Sequence, residues 1–114
     1  MAIIERAMLE EMFDGMRTKS KWNVDGDLLW GYFFTDKSVA NLRKAAKQLA
    51  SMGYRFVETH KDANGELFWL HVEKVETHTV DSLDRRNHEL SAFAEANGLN
   101  SYDGMDVGDV KPPD

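Results

Sequence analysis

The run at residues 28–34, Leu-Leu-Trp-Gly-Tyr-Phe-Phe, constrains this chain more than any other stretch. It is too short for a stable helix and well below the ~18 apolar residues that cross a bilayer, and its aromatic side chains favour extended backbone. Both parities of the run are apolar, so a strand built from it belongs inside a sheet, and alternation does not decide which residue faces which side.

A helix is expected next. Thr35 is a candidate N-cap, Val39, Leu42, Ala46 and Leu49 recur at helical spacing, and Gly53 stands where a left-handed residue ends a helix. Residues 54–60 and 67–76 are rich in strand formers, and Asn64-Gly65 between them offers the positive φ angles of a hairpin turn. In the second of these strands Phe68, Leu70 and Val72 alternate with Leu67, Trp69, His71 and Glu73, so each face carries apolar bulk. Thr79 is placed to cap a further helix with Val80, Leu83, Leu90, Phe93 and Ala94 on one face and Gly98 past its end. Residues 99–107 have the length of a last strand. Ahead of all this, residues 2–17 set Ile4, Met8 and Met12 four apart among acidic positions, which predicts an amphipathic helix.

The order predicts an α+β fold of ferredoxin-like, split βαβ type: a four-stranded antiparallel sheet with two helices on one face, plus the N-terminal helix. That first helix, within residues 1–17, offers either a cover for the second sheet face or a homodimer contact. Residues 1–110 form a single domain with the βαββαβ core at 28–107, and 111–114 form a short tail whose Pro112-Pro113-Asp114 is expected to fray. A length of 114 residues suits one core and not two.

Composition narrows the function. The chain has no cysteine, which removes disulfides, thiolate metal sites and cysteine nucleophiles and fits a reducing, cytoplasmic setting. Twenty acidic against fourteen basic residues give a net charge of −6, which opposes broad nucleic-acid binding and favours a basic protein partner. No membrane segment is expected. His60, His71, His78 and His88 lack metal-ligand spacing, and Asp62, Asn64 and Glu66 fit a hairpin loop better than a calcium loop. No serine stands in a nucleophile elbow, no glycine-rich phosphate loop is present, and no carboxylate pair suggests acid–base work, so no catalytic, metal or cofactor residue is expected.

Trp30, Tyr32, Tyr54 and Trp69 on predicted strands offer the kind of aromatic platform on which RNA-binding modules stack bases, the alternative to core packing. Lys37, Arg43, Lys44 and Lys47 give the second helix a basic outer face. Asp103, Asp106, Asp109 and Asp114 make the C-terminal end acidic.

The segments Leu42-Arg43-Lys44-Ala45-Ala46, Met52-Gly53-Tyr54-Arg55-Phe56, Phe93-Ala94-Glu95-Ala96-Asn97-Gly98 and Tyr102-Asp103-Gly104 resemble the bacterial regulator of ribonuclease activity B (RraB) family over roughly residues 28–108. In that family Tyr-Asp-Gly is usually followed by tryptophan, where this chain has Met105, and a long acidic tail is common, where this one is short and carries Lys111. The resemblance implies a non-catalytic inhibitor that binds endoribonuclease E, particularly its scaffold region. It points to Tyr102 as an interface anchor and Asp103 as a charge contact, with Gly104, Met105, Asp106 and Asp109 beside them.

Overall fold

The structure, a computed structural model, describes residues 4–110. Its elements are α1 (Arg6–Lys19), β1 (Leu28–Asp36), α2 (Val39–Ser51), β2 (Arg55–Lys61), β3 (Phe68–Glu76), α3 (Val80–Ala96) and β4 (Ser101–Gly108). These three helices and one four-stranded, wholly antiparallel sheet of order β2-β3-β1-β4 make an α+β fold. As the both-sided apolar run demands, β1 is interior, between β3 and β4.

Trp30, Tyr32 and Phe34 face the helices and are fully buried beside Leu70, Val72 and Tyr102. Phe34 meets Phe93 of α3 at 5.9 Å between ring centroids, and Tyr32 meets Tyr54 at 5.7 Å. α2 covers the β2 and β3 side with Leu42, Ala45, Ala46 and Leu49 buried, and α3 lies toward β4.

The first helix does not cover the opposite face. Leu9, Phe13 and Met16 are buried on the same side as α3, and the Phe13 ring lies 6.0 Å from Trp30, whose indole forms part of the helix-covered surface. α1 extends the helix layer beside α3 and over Trp30, and Arg6 pairs with Asp81 at the start of α3. Of the expected Ile4, Met8 and Met12 stripe, Ile4 and Met12 pack against the core while Met8 is 54% exposed, so the buried stripe runs through Leu9, Phe13 and Met16 instead. Residues 2 and 3 of the expected helix lie outside the described residues, as does the frayed tail expected at 112–114.

Two local expectations also change. Thr35 is a strand residue whose hydroxyl pairs with Ser101 Oγ across β1 and β4 at 2.6 Å; Ser38 caps α2 by accepting from the Asn41 N–H at 3.2 Å. In the hairpin only Gly65 has a positive φ, +72°, and Asp62 closes a longer loop by accepting from the Gly65 and Glu66 N–H groups.

Thr79 caps α3 as expected: its hydroxyl accepts from the Ser82 N–H at 3.1 Å, while Ser82 Oγ accepts from the Thr79 N–H at 2.8 Å. Thr79→Ala is expected to lower the unfolding free energy by ~1 kcal/mol, read as a shifted urea midpoint at unchanged slope. An unchanged midpoint removes the cap from the account.

Candidate protein-binding surface

Strand β4 carries the residues that sequence reasoning singled out, and its register separates them. Tyr102 opposes Phe34 and is 2% exposed; its ring lies 5.2 Å from the Phe34 ring, and its hydroxyl donates to Asn87 Oδ1 of α3. Asp103 is the extra residue of a β-bulge, because Phe33 pairs with Gly104 while Phe34 pairs with Tyr102. Gly104 takes φ +113°, a conformation that a side chain would strain, and a Cβ there would lie 3.7 Å from Ile4. Met105 opposes Tyr32 and packs against the core, so the position where the family usually has tryptophan faces inward here. Asp103, Asp106 and Asp109 are exposed. The strand thus divides into an inner pair, Tyr102 and Met105, an outer set of carboxylates, and the buried Gly104 beside the bulge, level with Phe33.

Beneath the sheet end lies a polar cluster that sequence reasoning did not find. Tyr32 donates to Glu76 Oε2 at 2.8 Å, His78 Nε2 lies 3.1 Å from both that oxygen and the Tyr32 hydroxyl, and Arg86 donates to the same carboxylate. His78 Nδ1 is 2.9 Å from Ser82 Oγ, which ties the cluster to the α3 cap. Burial alone pushes the Glu76 carboxyl up; hydrogen bonds from His78, Tyr32 and Arg86, with the Arg86 charge, outweigh it and hold the group down at about 2. Burial, first of all, pushes the Tyr32 and Tyr102 hydroxyls well above the usual phenol range. The charged groups of the cluster pair with one another, so the arrangement locks β1, β3 and α3 together. Among the described residues no group of three or more His, Cys, Asp and Glu side chains is placed to hold a metal ion.

The face opposite the helices is uncovered by any described element, and its residues follow from the register. His60, Trp69, Thr35 and Ser101 form one row across β2, β3, β1 and β4; Glu58, His71, Phe33 and Gly104 form the next; Arg55, Glu73, Gly31 and Asp106 form a third. Phe33 stacks on His71 at 4.4 Å and meets Trp69 at 6.4 Å, and the His60 ring is parallel to Trp69 at 6.3 Å. Gly31 leaves a dimple in this face: a Cβ there would collide with Asp106 Oδ1 and come within 2.7 Å of His71 Nε2. At the far end a pocket of about 590 Å³ opens between Leu29, Val75 and Val110, with Glu73 and Arg55 paired in its wall and Asp109 also lining it. Of the four aromatics expected as a platform, Trp30, Tyr32 and Tyr54 are buried under the helices, and only Trp69 lies on the open face, joined there by Phe33.

The sequence matches the family model RraB, regulator of ribonuclease activity B, over residues 6–107. The chain belongs to the RraB family. The match begins at the first residue of α1 and ends one residue before the close of β4, so the first helix, which lies ahead of the resembling segments at residues 28–108, belongs to the RraB unit. Comparison with curated proteins gives no match. RraB membership implies a regulator of ribonuclease activity, in a family that is generally non-catalytic, and a ribonuclease as protein partner. Among the described residues no helix is long and apolar enough to cross a membrane.

Proposed function

We propose that this RraB-family chain is a cytoplasmic inhibitor of endoribonuclease E, binding the nuclease or its scaffold region and restraining RNA degradation without chemistry of its own. The observation that carries the reading is the family match across residues 6–107. The exposed carboxylates of the β4 end, Asp103, Asp106 and Asp109, support it further, because a net charge of −6 favours a basic protein segment over a phosphate backbone. Tyr102, Gly104 and Met105 serve such a contact from inside, by fixing the bulge that turns Asp103 outward. The β-α-β-β-α-β order with β3 between β1 and β2 supports reading the fold as ferredoxin-like with α1 added.

The test is a titration of the purified chain against the endoribonuclease E scaffold region at low and moderate salt. Binding is expected to weaken by roughly tenfold with salt, and to weaken similarly in an Asp103→Asn/Asp109→Asn double variant at low salt. These positions are exposed, so the variant keeps its fold, whereas Tyr102→Ala would confound folding with binding. No binding to the nuclease at either salt concentration overturns the proposal.

A further inference from the structure

We propose that the uncovered sheet face is an arginine-reading surface, on which an extended, arginine-bearing segment of the partner protein lies with its guanidinium groups over the aromatic rings and against the flanking carboxylates. The inference rests on the protein-binding reading above and names both its surface and its partner's chemistry.

The face combines features that answer the two halves of an arginine side chain. Phe33, Trp69, His60 and His71 form a connected run of ring contacts spanning β2, β3 and β1. Such rings accept the flat face of a guanidinium and the apolar stem behind it. On either side stand exposed carboxylates, Glu58 on β2 and Asp106 on β4, the latter reaching over the side-chain-free Gly31 toward His71. A planar fork of N–H donors matches a carboxylate better than a point-like ammonium does.

The molecule already makes one such contact on this face. Glu73 has a side chain only 9% exposed, and it is reached by the guanidinium of Arg55, whose own side chain is 76% exposed. Arg55 is the only lysine or arginine in the three open-face rows described above, and it is engaged by Glu73. That charge balance separates the occupants. A single-stranded RNA would find rings to stack on, but in the three described rows its phosphates would face Glu58 and Asp106, with Arg55 already held by Glu73. A second copy of this acidic chain would bring carboxylates against carboxylates.

The experiment uses the full chain with its indole N–H resonances as reporters, Trp69 on the open face and Trp30 bonded to the Glu76 carbonyl in the core. Probes are a peptide alternating arginine and glycine, its lysine counterpart, an oligouridylate, and the endoribonuclease E scaffold region. The arginine peptide and the scaffold region are expected to shift Trp69 and leave Trp30 in place, with the lysine peptide several-fold weaker. Glu58→Gln/Asp106→Asn and, separately, Trp69→Ala, whose affinity is read by calorimetry because it lacks the reporter, are expected to weaken the arginine peptide by roughly tenfold. An unchanged Trp30 signal certifies that each variant is folded. The surface is wrong if the arginine peptide fails to bind, binds without moving Trp69, or binds no better than lysine, or if the oligouridylate is the tighter ligand at Trp69. The two proposals fail separately. Scaffold binding that leaves Trp69 unmoved removes the surface and keeps the nuclease regulator, whereas peptide binding at Trp69 with no scaffold binding does the reverse.

Discussion

Tyr102→Ala is expected to lower the free energy of unfolding by ~4 kcal/mol, which is a large share of the ~5–15 kcal/mol that holds a domain together. The ring is 2% exposed against Phe34, and its hydroxyl satisfies Asn87 Oδ1, itself buried on α3. Truncation therefore opens a cavity at the junction of β1, β4 and α3 and leaves an amide oxygen without a partner. Tyr102→Phe isolates the second effect and is expected to cost ~1–2 kcal/mol, most of which returns when Asn87→Leu removes the orphaned amide as well. Urea denaturation of the four proteins closes the cycle. Should Tyr102→Ala cost under ~1 kcal/mol and instead weaken partner binding, the ring works at a surface and not in the core.

Glu76→Gln is expected to remove about 2–3 kcal/mol at neutral pH, because it leaves the mostly buried Arg86 guanidinium without its counter-charge. The same group gives the protein an acid limit. Its carboxyl has an ordinary value of 4.5 and is held at about 2 in the fold, so in that interval the unfolded chain takes up a proton that the folded chain refuses. The contribution of Glu76 is complete above about 4.5 and is lost as pH falls toward 2. Wild-type stability is expected to fall over that interval more steeply than that of Glu76→Gln, the two curves converging at the acid end. Parallel curves in urea titrations from pH 2 to 7 would mean that other carboxylates set the acid limit.

Where the sequence was legible, a local device spoke for itself. Gly53 and Gly98 take the positive φ values of helix ends, +96° and +67°, and Thr79 with Ser82 forms a cap visible four residues ahead of Leu83. The alternation in β3 grouped Phe68, Leu70 and Val72 on one face, and it is on that face that Leu70 and Val72 are buried. What was not legible depends on contacts between distant residues. Tyr32 and Glu76 are 44 positions apart, and nothing local in either marks them as partners. The same holds for Tyr102 and Asn87, where a polar residue on an apolar helix face looks like an interruption until the phenol opposite it is known. In β1 both parities are apolar, so the side that became the core shows only in what packs on it, Phe13 of α1 on Trp30 and Phe93 of α3 on Phe34. That choice left Phe33 and Trp69 on the open side and made the candidate surface. The bulge at Asp103 depends on register with β1, which no single strand encodes.

The charges also have a direction. The segment from Lys37 to Ser51 contains Lys37, Arg43, Lys44 and Lys47 and no acidic residue, and its helix lies over the β2 side of the sheet, while Asp103, Asp106 and Asp109 mark the opposite, β4 side. If the proposed basic partner is the right one, this polarity gives the molecule a torque in its field that turns the β4 edge forward before any contact forms. Diffusive encounters are thus sorted by orientation at distances near the Debye length, ~8–10 Å at ordinary ionic strength. Added salt then acts mainly on how often collisions are productive, leaving the lifetime of the finished complex to the rings and hydrogen bonds that it buries.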